Sequence, residues 1–141
     1  LKQVDCLIVN EGELNQLHSE FHQTPKPNND SAKDVEQKAW DIFTLTGQSV
    51  VVTLGANGTL AVHNNTLISV PALAISPVDT VGAGDAFTGA FTAALDLGET
   101  FPVALRWGNV AGGLACLETG AQSSLPTTAQ ISEHLAALPG A

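Results

Sequence analysis

The sequence lacks methionine and tyrosine and contains few basic residues. Of its 141 residues, 5 are Lys or Arg and 14 are Asp or Glu, which gives a formal net charge of −9. Such a chain repels phosphate backbones and anionic lipids, so we expect neither nucleic-acid nor membrane binding. Because the chain begins at Leu1 and has no methionine, we also expect it to be a part of a longer gene product.

The sequence contains two cysteines. Cys6 and Cys116 lie far apart, each within an apolar segment, which predicts reduced thiols in a cytoplasmic protein rather than a disulfide framework. No apolar run approaches the roughly 18 residues that span a bilayer. With 44% hydrophobic residues and 13 glycines, the composition predicts one globular domain over 1–141.

The hydrophobic pattern predicts strands that alternate with helices. Nearly continuous apolar runs indicate buried strands, and the residues on either side of "NN" indicate a hairpin. The predicted strands are 4–10, 49–54, 59–63 and 66–70. One predicted helix follows Asn10. The other predicted helices are 31–46, 84–97, 101–120 and 126–138. The helix at 84–97 is apolar nearly all round, so we expect it to be buried on all sides. This order predicts an α/β layered sheet, with a surface loop at 23–30.

The segment "SPVDTVGAGDAFTGAF" at 76–91 changes abruptly from polar to apolar. Gly82 and Gly84 permit backbone conformations closed to other residues, so successive N–H groups can point into one concavity. The helix that begins there adds unpaired N–H groups and the positive end of its dipole, a combination that binds phosphate oxygens. The alternative is a glycine turn in which Asp85 caps the helix. Walker A and Rossmann patterns do not fit, since no lysine follows and Phe87 replaces the third glycine.

Two further segments could contribute to a site, and each also has a structural explanation. In "VTLGANGTLAV" (52–62), a buried strand ends and the chain turns through Gly58. Ligands bind at such strand ends in open α/β sheets, although a tight turn alone explains the pattern. In "VNEGE" (9–13), Asn10 and Glu13 could face one site, although a capping box explains the same spacing.

Metal binding by histidine has weak support in the sequence. His18 and His22 lie four residues apart on a predicted helix and could share one ion. Glu20 does not occupy the H-E-x-x-H position, however, and no third ligand is evident. Two solvated histidines are therefore the favoured interpretation.

Four segments together resemble one known family. "DTVGAGDAFTGAF" (79–91), "VTLGANG" (52–58), Asn10 with Glu13, and "GAQSSLP" (120–126) are similar, in order and spacing, to the carboxyl-terminal half of ribokinase-type (PfkB) carbohydrate kinases. The resemblance covers essentially the whole chain, and D-T-x-G-A-G-D is its most specific motif. It implies a three-layer α/β/α, Rossmann-like sheet with one β-hairpin. Family members are about twice as long, and their amino-terminal half supplies the sugar pocket and lid, so we expect that half to be absent here.

The resemblance implies ATP-dependent phosphorylation of a sugar hydroxyl, and "GAQSS" favours the ribokinase branch and D-ribose. Asp85 would be the catalytic base, and Gly82, Ala83 and Gly84 would form the anion hole around the transferred phosphoryl group. Asn10 and Glu13 would organise the phosphates and Mg²⁺. The residues that border the nucleotide would be Thr53, Leu54, Gly55, Ala56, Asn57, Gly58 and, near the adenine, Asn109.

In ribokinases a monovalent cation lies behind the anion hole, which here implies K⁺. Its oxygen ligands, mostly main-chain carbonyls, would come from Asp79, Val81, Ala115, Glu118, Gly120 and Ser124. The sugar and ATP are the implied partners, and a homodimer is compatible with the full-length family pattern. The alternatives are a truncated nucleotide-binding module or fragment without catalysis, and a kinase for another sugar or nucleoside.

Overall fold

The structure, a computed structural model, describes residues 4–22, 31–120, 125–136 and 138. It confirms the predicted alternation of strands and helices. In chain order the elements are β1 (Cys6–Asn10), α1 (Glu11–His22), α2 (Ala32–Thr46), β2 (Ser49–Thr53), β3 (Thr59–His63), β4 (Thr66–Val70), α3 (Ala83–Asp96), α4 (Phe101–Ala115) and α5 (Thr128–Leu135). The loop predicted at 23–30 lies outside the described residues. Among the described helices, none has both the length and the apolar character required to cross a membrane.

The four strands form one mixed sheet in the order β1-β2-β3-β4. β1 and β2 are parallel, and Asn10 pairs with Thr53 at the end of the register. Asn64 and Asn65 connect β3 to β4 with positive φ angles of 49° and 56°, which asparagine tolerates in two-residue hairpin turns. The predicted hairpin is thereby confirmed.

The chain forms two compact units. The first comprises residues Leu1–Leu54 and Leu60–Ser69, and the second comprises Gly55–Thr59 and Val70–Ala141. In the first unit the core contains fully buried side chains from α1, α2 and β2, including Leu14, Ile42 and Val50. Burying each such side chain contributes roughly 1.5–3 kcal/mol, so this core fixes the two helices against the sheet.

Helix α2 begins and ends where its sequence predicts. The Ser31 hydroxyl accepts a hydrogen bond from the Asp34 N–H, and Gly47, with φ of 71°, donates its N–H to the Phe43 carbonyl. Val35, Ala39 and Ile42 lie buried along one face. A side-chain cap and a left-handed glycine therefore delimit this helix.

In the second unit, small residues allow α3 and α4 to pack closely. A Cβ atom added at Gly108 would lie 2.6 Å from the Phe87 ring, and one at Gly112 would lie 3.2 Å from the Ala83 carbonyl oxygen. The Gly112 contact involves the first residue of α3. The start of α3 therefore lies against the last turn of α4.

Three helix predictions need correction. Helix α3 is buried on one face only: Ala86, Phe87 and Ala90 are buried, whereas Thr88 and Gly89 are exposed. Its alanines and glycines look apolar in the sequence but tolerate solvent.

Helix α4 ends at Ala115 rather than at 120, and the adjacent Cys116 carbonyl accepts hydrogen bonds from residues 78 and 79. Helix α5 ends at Leu135 rather than at 138, and Thr127 caps its start in a capping box with Gln130.

Candidate active site

The first turn of α3 provides unpaired backbone donors. Gly82 caps the helix in a left-handed conformation, with φ of 84° and ψ of −4°, and no side chain caps this end. The N–H of Ala86 donates to the Gly82 carbonyl at 2.9 Å and that of Ala83 to the Thr80 carbonyl at 3.3 Å. The two N–H groups between them have no backbone partner among the described residues, as is usual at the start of a helix. A Cβ atom added at Gly84 would meet nothing within 4 Å. The positive end of the helix dipole thus adjoins open space that an anion can enter.

Asp85 is an exposed carboxylate in this turn. Within residues 4–22, 31–120, 125–136 and 138, its side chain forms no hydrogen bond or ion pair. The alternative interpretation of Asp85 as the helix cap is wrong, because Gly82 occupies that position. The Asp85 carboxylate is therefore not used to hold the described part of the fold together.

A cavity of about 300 Å³ lies beside Asp85 within the second unit. Among the described residues that line it, Asp85 alone is ionisable, and the others are Ala86, Gly89, Ala90, Ala93, Trp107, Ala111, Leu125, Pro126, Thr128 and Ile131. A mainly apolar cavity with one carboxylate at its wall has the composition of a small-molecule site.

Asp79 joins the segment before α3 to the segment after α4. Its Oδ1 accepts a hydrogen bond from the Val81 N–H at 3.0 Å, and its Oδ2 accepts one from the Gly120 N–H at 3.4 Å. The N–H groups of Val78 and Asp79 donate to the Cys116 carbonyl at 2.7 and 3.2 Å. The structure thus brings Asp79, Val81 and Gly120 together and places Ala115 next to this junction.

These residues suit a hard cation, which prefers carbonyl and carboxylate oxygens. Glu118 is exposed in the same turn region as Gly120, whereas Ser124 lies outside the described residues. Asp79 supplies a negative charge where two chain segments meet. The oxygen atoms at this junction are therefore of the kind that bind K⁺. The assignment of each residue as a K⁺ ligand stays a prediction.

The predicted nucleotide loop ends at Gly58, whose backbone lies very close to the backbone at Val70. Gly55–Asn57 form one exposed 3₁₀ turn, and Gly58 follows with φ of 88°. A Cβ atom at Gly58 would lie only 2.1 Å from the Val70 carbonyl oxygen. Glycine is therefore required here by the close approach of two backbone segments, whether or not a ligand binds.

Asn109 has an internal role that the sequence did not reveal. It is 7% exposed, and its Oδ1 accepts a hydrogen bond from the Thr59 hydroxyl at 2.5 Å. Its Nδ2 donates to the carbonyls of Val70 and Pro71 at 2.9 and 3.0 Å. Asn109 thus links α4 to the first residue of β3 and the end of β4. Its predicted position near the adenine stays a prediction.

In the first unit, Asn10 and Glu13 form the predicted capping box. The Asn10 N–H donates to Glu13 Oε2 at 2.8 Å, and the Glu13 N–H donates to Asn10 Oδ1 at 2.9 Å. Both residues are exposed at the carboxyl end of β1, where Asn10 pairs with Thr53. The remaining Glu13 oxygen suits Mg²⁺ or its bound water, a role that stays a prediction.

The two cysteines are free thiols, as predicted. Burial, and to a smaller extent the charge of Asp5, raises the pKa of Cys6 to about 11. Burial and the charge of Asp79 also raise the pKa of Cys116. Both groups therefore stay protonated at neutral pH, which makes either an unsuitable nucleophile.

The prediction that His18 and His22 are solvated is wrong for His18. The residue is 1% exposed, and its Nε2 lies 2.9 Å from Asp41 Oδ2 on α2. The third potential ligand was missed because Asp41 is distant in sequence and comes close only when α1 and α2 pack.

Comparison with known proteins finds relatives among sugar kinases. The ribokinase of Haemophilus influenzae is 34% identical over 99 residues, which cover 70% of this chain and 32% of that protein. The ribokinase of Thermotoga maritima has a similar structure, with a TM-score of 0.85, 32% identity, and coverage of 96% of this chain and 43% of that chain. The chain thus has a ribokinase-like fold and spans less than half of the length of these relatives.

Two other solved structures were determined with ligands. Arabidopsis thaliana ribokinase, complexed with ribose and ATP, has a TM-score of 0.81, 29% identity, and coverage of 95% of this chain and 41% of that chain. Escherichia coli phosphofructokinase-2, in complex with potassium, has a TM-score of 0.79, 27% identity, and coverage of 95% and 41%.

The family assignment rests on a sequence pattern that matches most of the chain. The pattern described as "pfkB family carbohydrate kinase" matches residues 1–128. The match includes the α3 amino terminus with Gly82 and Asp85, the Asp79 junction and the Asn10–Glu13 capping box. This chain belongs to the pfkB family of carbohydrate kinases.

Proposed function

We propose that this chain forms the nucleotide- and phosphate-binding part of an ATP-dependent sugar kinase in which Asp85 is the general base. The observation that carries the proposal is the exposed Asp85 carboxylate, without a partner among the described residues, in the first turn of α3 behind left-handed Gly82. D-Ribose is the favoured substrate and D-ribose 5-phosphate the product. The ribokinase relatives and the Arabidopsis ribokinase complexed with ribose and ATP support this choice.

In this mechanism Asp85 takes the proton of the sugar hydroxyl while the hydroxyl oxygen forms a bond to the terminal phosphorus. The bond between that phosphorus and the ADP oxygen breaks, and ADP leaves. The N–H groups of Gly82, Ala83 and Gly84, together with the helix dipole, would stabilise negative charge on the transferred group. Positioning and charge stabilisation of this kind supply most of the catalysis in phosphoryl transfer.

The other predicted residues would hold the nucleotide and its ions. Residues 53–58 would border the nucleotide, while Asn109 would act by fixing the ends of the β3–β4 hairpin. Asn10 and Glu13 would bind phosphates and Mg²⁺, which shields phosphate charge when bound. K⁺ would add positive charge behind the anion hole at the Asp79 junction.

A second candidate function is a nucleotide-binding module without catalysis. The chain spans less than half of the length of its ribokinase relatives, so the function of this part and that of a whole kinase are separate questions. By the family resemblance, the sugar pocket, the lid and any surface for a homodimer would belong to the other half. Proton transfer without a bound sugar cannot proceed, so binding and catalysis need separate tests.

The test compares this chain with a completed kinase, in which the amino-terminal part of a ribokinase precedes Leu1. We expect the chain alone to bind ATP in calorimetry but to phosphorylate no sugar above about 1 s⁻¹, the lower end for kinases. The completed kinase should phosphorylate D-ribose in preference to other sugars and nucleosides. ATP binding by both proteins without any phosphorylation would favour the module, and preference for another acceptor would change the substrate.

Potassium should activate the completed kinase. If the Asp79 junction holds K⁺, activity should rise relative to an equal concentration of a bulky organic cation, because the ion adds charge and orders the loop before α3. The measurement is the initial rate at constant ionic strength with each cation. Asp79→Asn should reduce the difference between the two cations, whereas equal rates in the unaltered protein would contradict the assignment of these ligands.

A further inference from the structure

His18, His22 and Asp41 converge at the contact between α1 and α2. One potential ligand atom from each lies within 4.8 Å of the other two. His18 Nε2 lies 2.9 Å and His22 Nε2 lies 4.0 Å from Asp41 Oδ2. The two imidazole centroids are 4.2 Å apart. We propose that these three side chains form a binding site for a divalent transition metal of the Zn²⁺ class.

The distances suit a tetrahedral ion. Ligands at the usual Zn–N and Zn–O lengths stand about 3.3 Å apart on a tetrahedron. The two separations measured to Asp41 Oδ2, 2.9 and 4.0 Å, fall on either side of that value. Small side-chain rotations on two packed helices would therefore bring all three atoms onto one ion.

The donor set selects the class of metal. Two imidazoles and one carboxylate suit Zn²⁺, Co²⁺, Ni²⁺ or Cu²⁺, whereas Mg²⁺ and Ca²⁺ prefer oxygen alone. Binding replaces a proton: the Nε2 of each histidine must be unprotonated to donate its electron pair to the metal. The open side of the site, where His22 is 36% exposed, leaves a fourth position for water.

Neighbouring side chains orient the carboxylate and balance charge. Gln37 Nε2 donates to Asp41 Oδ1 at 2.9 Å, which fixes the carboxylate and leaves Oδ2 toward the histidines. Such outer hydrogen bonds tune the affinity of metal sites. Lys38, a buried cation on α2, is paired with Asp34 at 2.5 Å and donates to Asn15 at 2.7 Å, so its charge is largely compensated.

The site is separate from the predicted Mg²⁺ position on the same helix. Glu13 lies in the first turn of α1 and His22 at its last residue, which puts them about 13 Å apart along the axis. A metal bound by His18, His22 and Asp41 would join α1 to α2 within the first unit. It would therefore stabilise that unit without entering the phosphate site.

The experiment titrates the 141-residue chain with Zn²⁺ against a chromophoric chelator and repeats the titration with Co²⁺, whose visible spectrum reports coordination. We expect one ion to bind at micromolar concentration or tighter, with the spectrum of a four-coordinate nitrogen and oxygen site. His22→Ala should weaken binding at least about tenfold and keep the fold, since His22 is at the exposed end of α1. Asp41→Asn, which retains an acceptor for His18, should weaken binding as well.

The matched control is His134→Ala, which removes a half-buried histidine from α5 and should leave the affinity unchanged. Zn²⁺ should also raise the melting temperature of the unaltered chain more than that of His22→Ala. The proposal is overturned if Zn²⁺ fails to bind at micromolar concentration. Equal affinity in His22→Ala, or a Co²⁺ spectrum dominated by thiolate, overturns it too, the latter because it would assign the metal to Cys6 or Cys116.

Discussion

Asp85→Asn should lower the kcat of the completed kinase by about 10²–10⁴-fold, the usual contribution of general-base catalysis. The amide is nearly isosteric with the carboxylate but cannot accept the proton of the sugar hydroxyl. Asp85 is exposed and bonded to no other described residue, so folding should change little. The affinity for ATP should change far less than kcat and could even rise, because a negative charge beside the phosphates is removed.

The measurement is a single-turnover rate and an ATP dissociation constant from the same preparation. Asp96→Asn is a suitable control, since it makes the same substitution at an exposed residue at the other end of α3. It should leave kcat unchanged. If Asp85→Asn retains more than about a tenth of kcat, far above the level expected on loss of a general base, Asp85 does not take the proton.

The sequence predicts elements well where a local signal decides the structure. Ser31 and Gly47 delimit α2 because a hydroxyl cap and a left-handed glycine act within one turn. Asn64 and Asn65 form the hairpin turn because asparagine tolerates the positive φ angles that such a turn requires. The capping box of Asn10 and Glu13 was also readable, because both partners lie within four residues.

Features that depend on tertiary packing could not be read in the same way. The Asp41 partner of His18 lies 23 residues away, and nothing in the helical spacing of His18 and His22 identifies it. Asn109 resembled a ligand-binding amide, yet the structure places it among backbone carbonyls separated from it by 38 and 39 residues. Long-range pairs of this kind require the fold before they can be recognised.

The candidate site falls between these two cases. The glycine pattern before α3 predicted a helix amino terminus with unusual backbone geometry, and Gly82 has that geometry. The pattern did not predict that α3 would expose one face beside a cavity, because alanine and glycine suit both burial and solvent. The motif thus suggested the candidate residues, whereas the structure was needed to show which of them are accessible.

Gly58→Ala should destabilise the chain more than Gly55→Ala, the other glycine-to-alanine change in the predicted nucleotide loop. Gly58 has φ of 88°, and a Cβ atom there would lie 2.1 Å from the Val70 carbonyl oxygen and 2.6 Å from the Ala72 nitrogen. Left-handed strain alone costs an alanine about 1–2 kcal/mol. Here two backbone segments must also separate, and overpacking of this kind adds about 1–3 kcal/mol.

Gly55→Ala separates the two contributions. Gly55 also has a positive φ, 56°, but a Cβ atom there would meet nothing within 4 Å, so only the conformational strain applies. Urea unfolding of both variants without nucleotide, followed by circular dichroism, gives the two changes in the free energy of unfolding. We expect the Gly58 variant to lose at least about 1 kcal/mol more than the Gly55 variant. Equal losses would mean that the contact with Val70 relaxes freely, and Gly58 would then be needed for its backbone conformation alone.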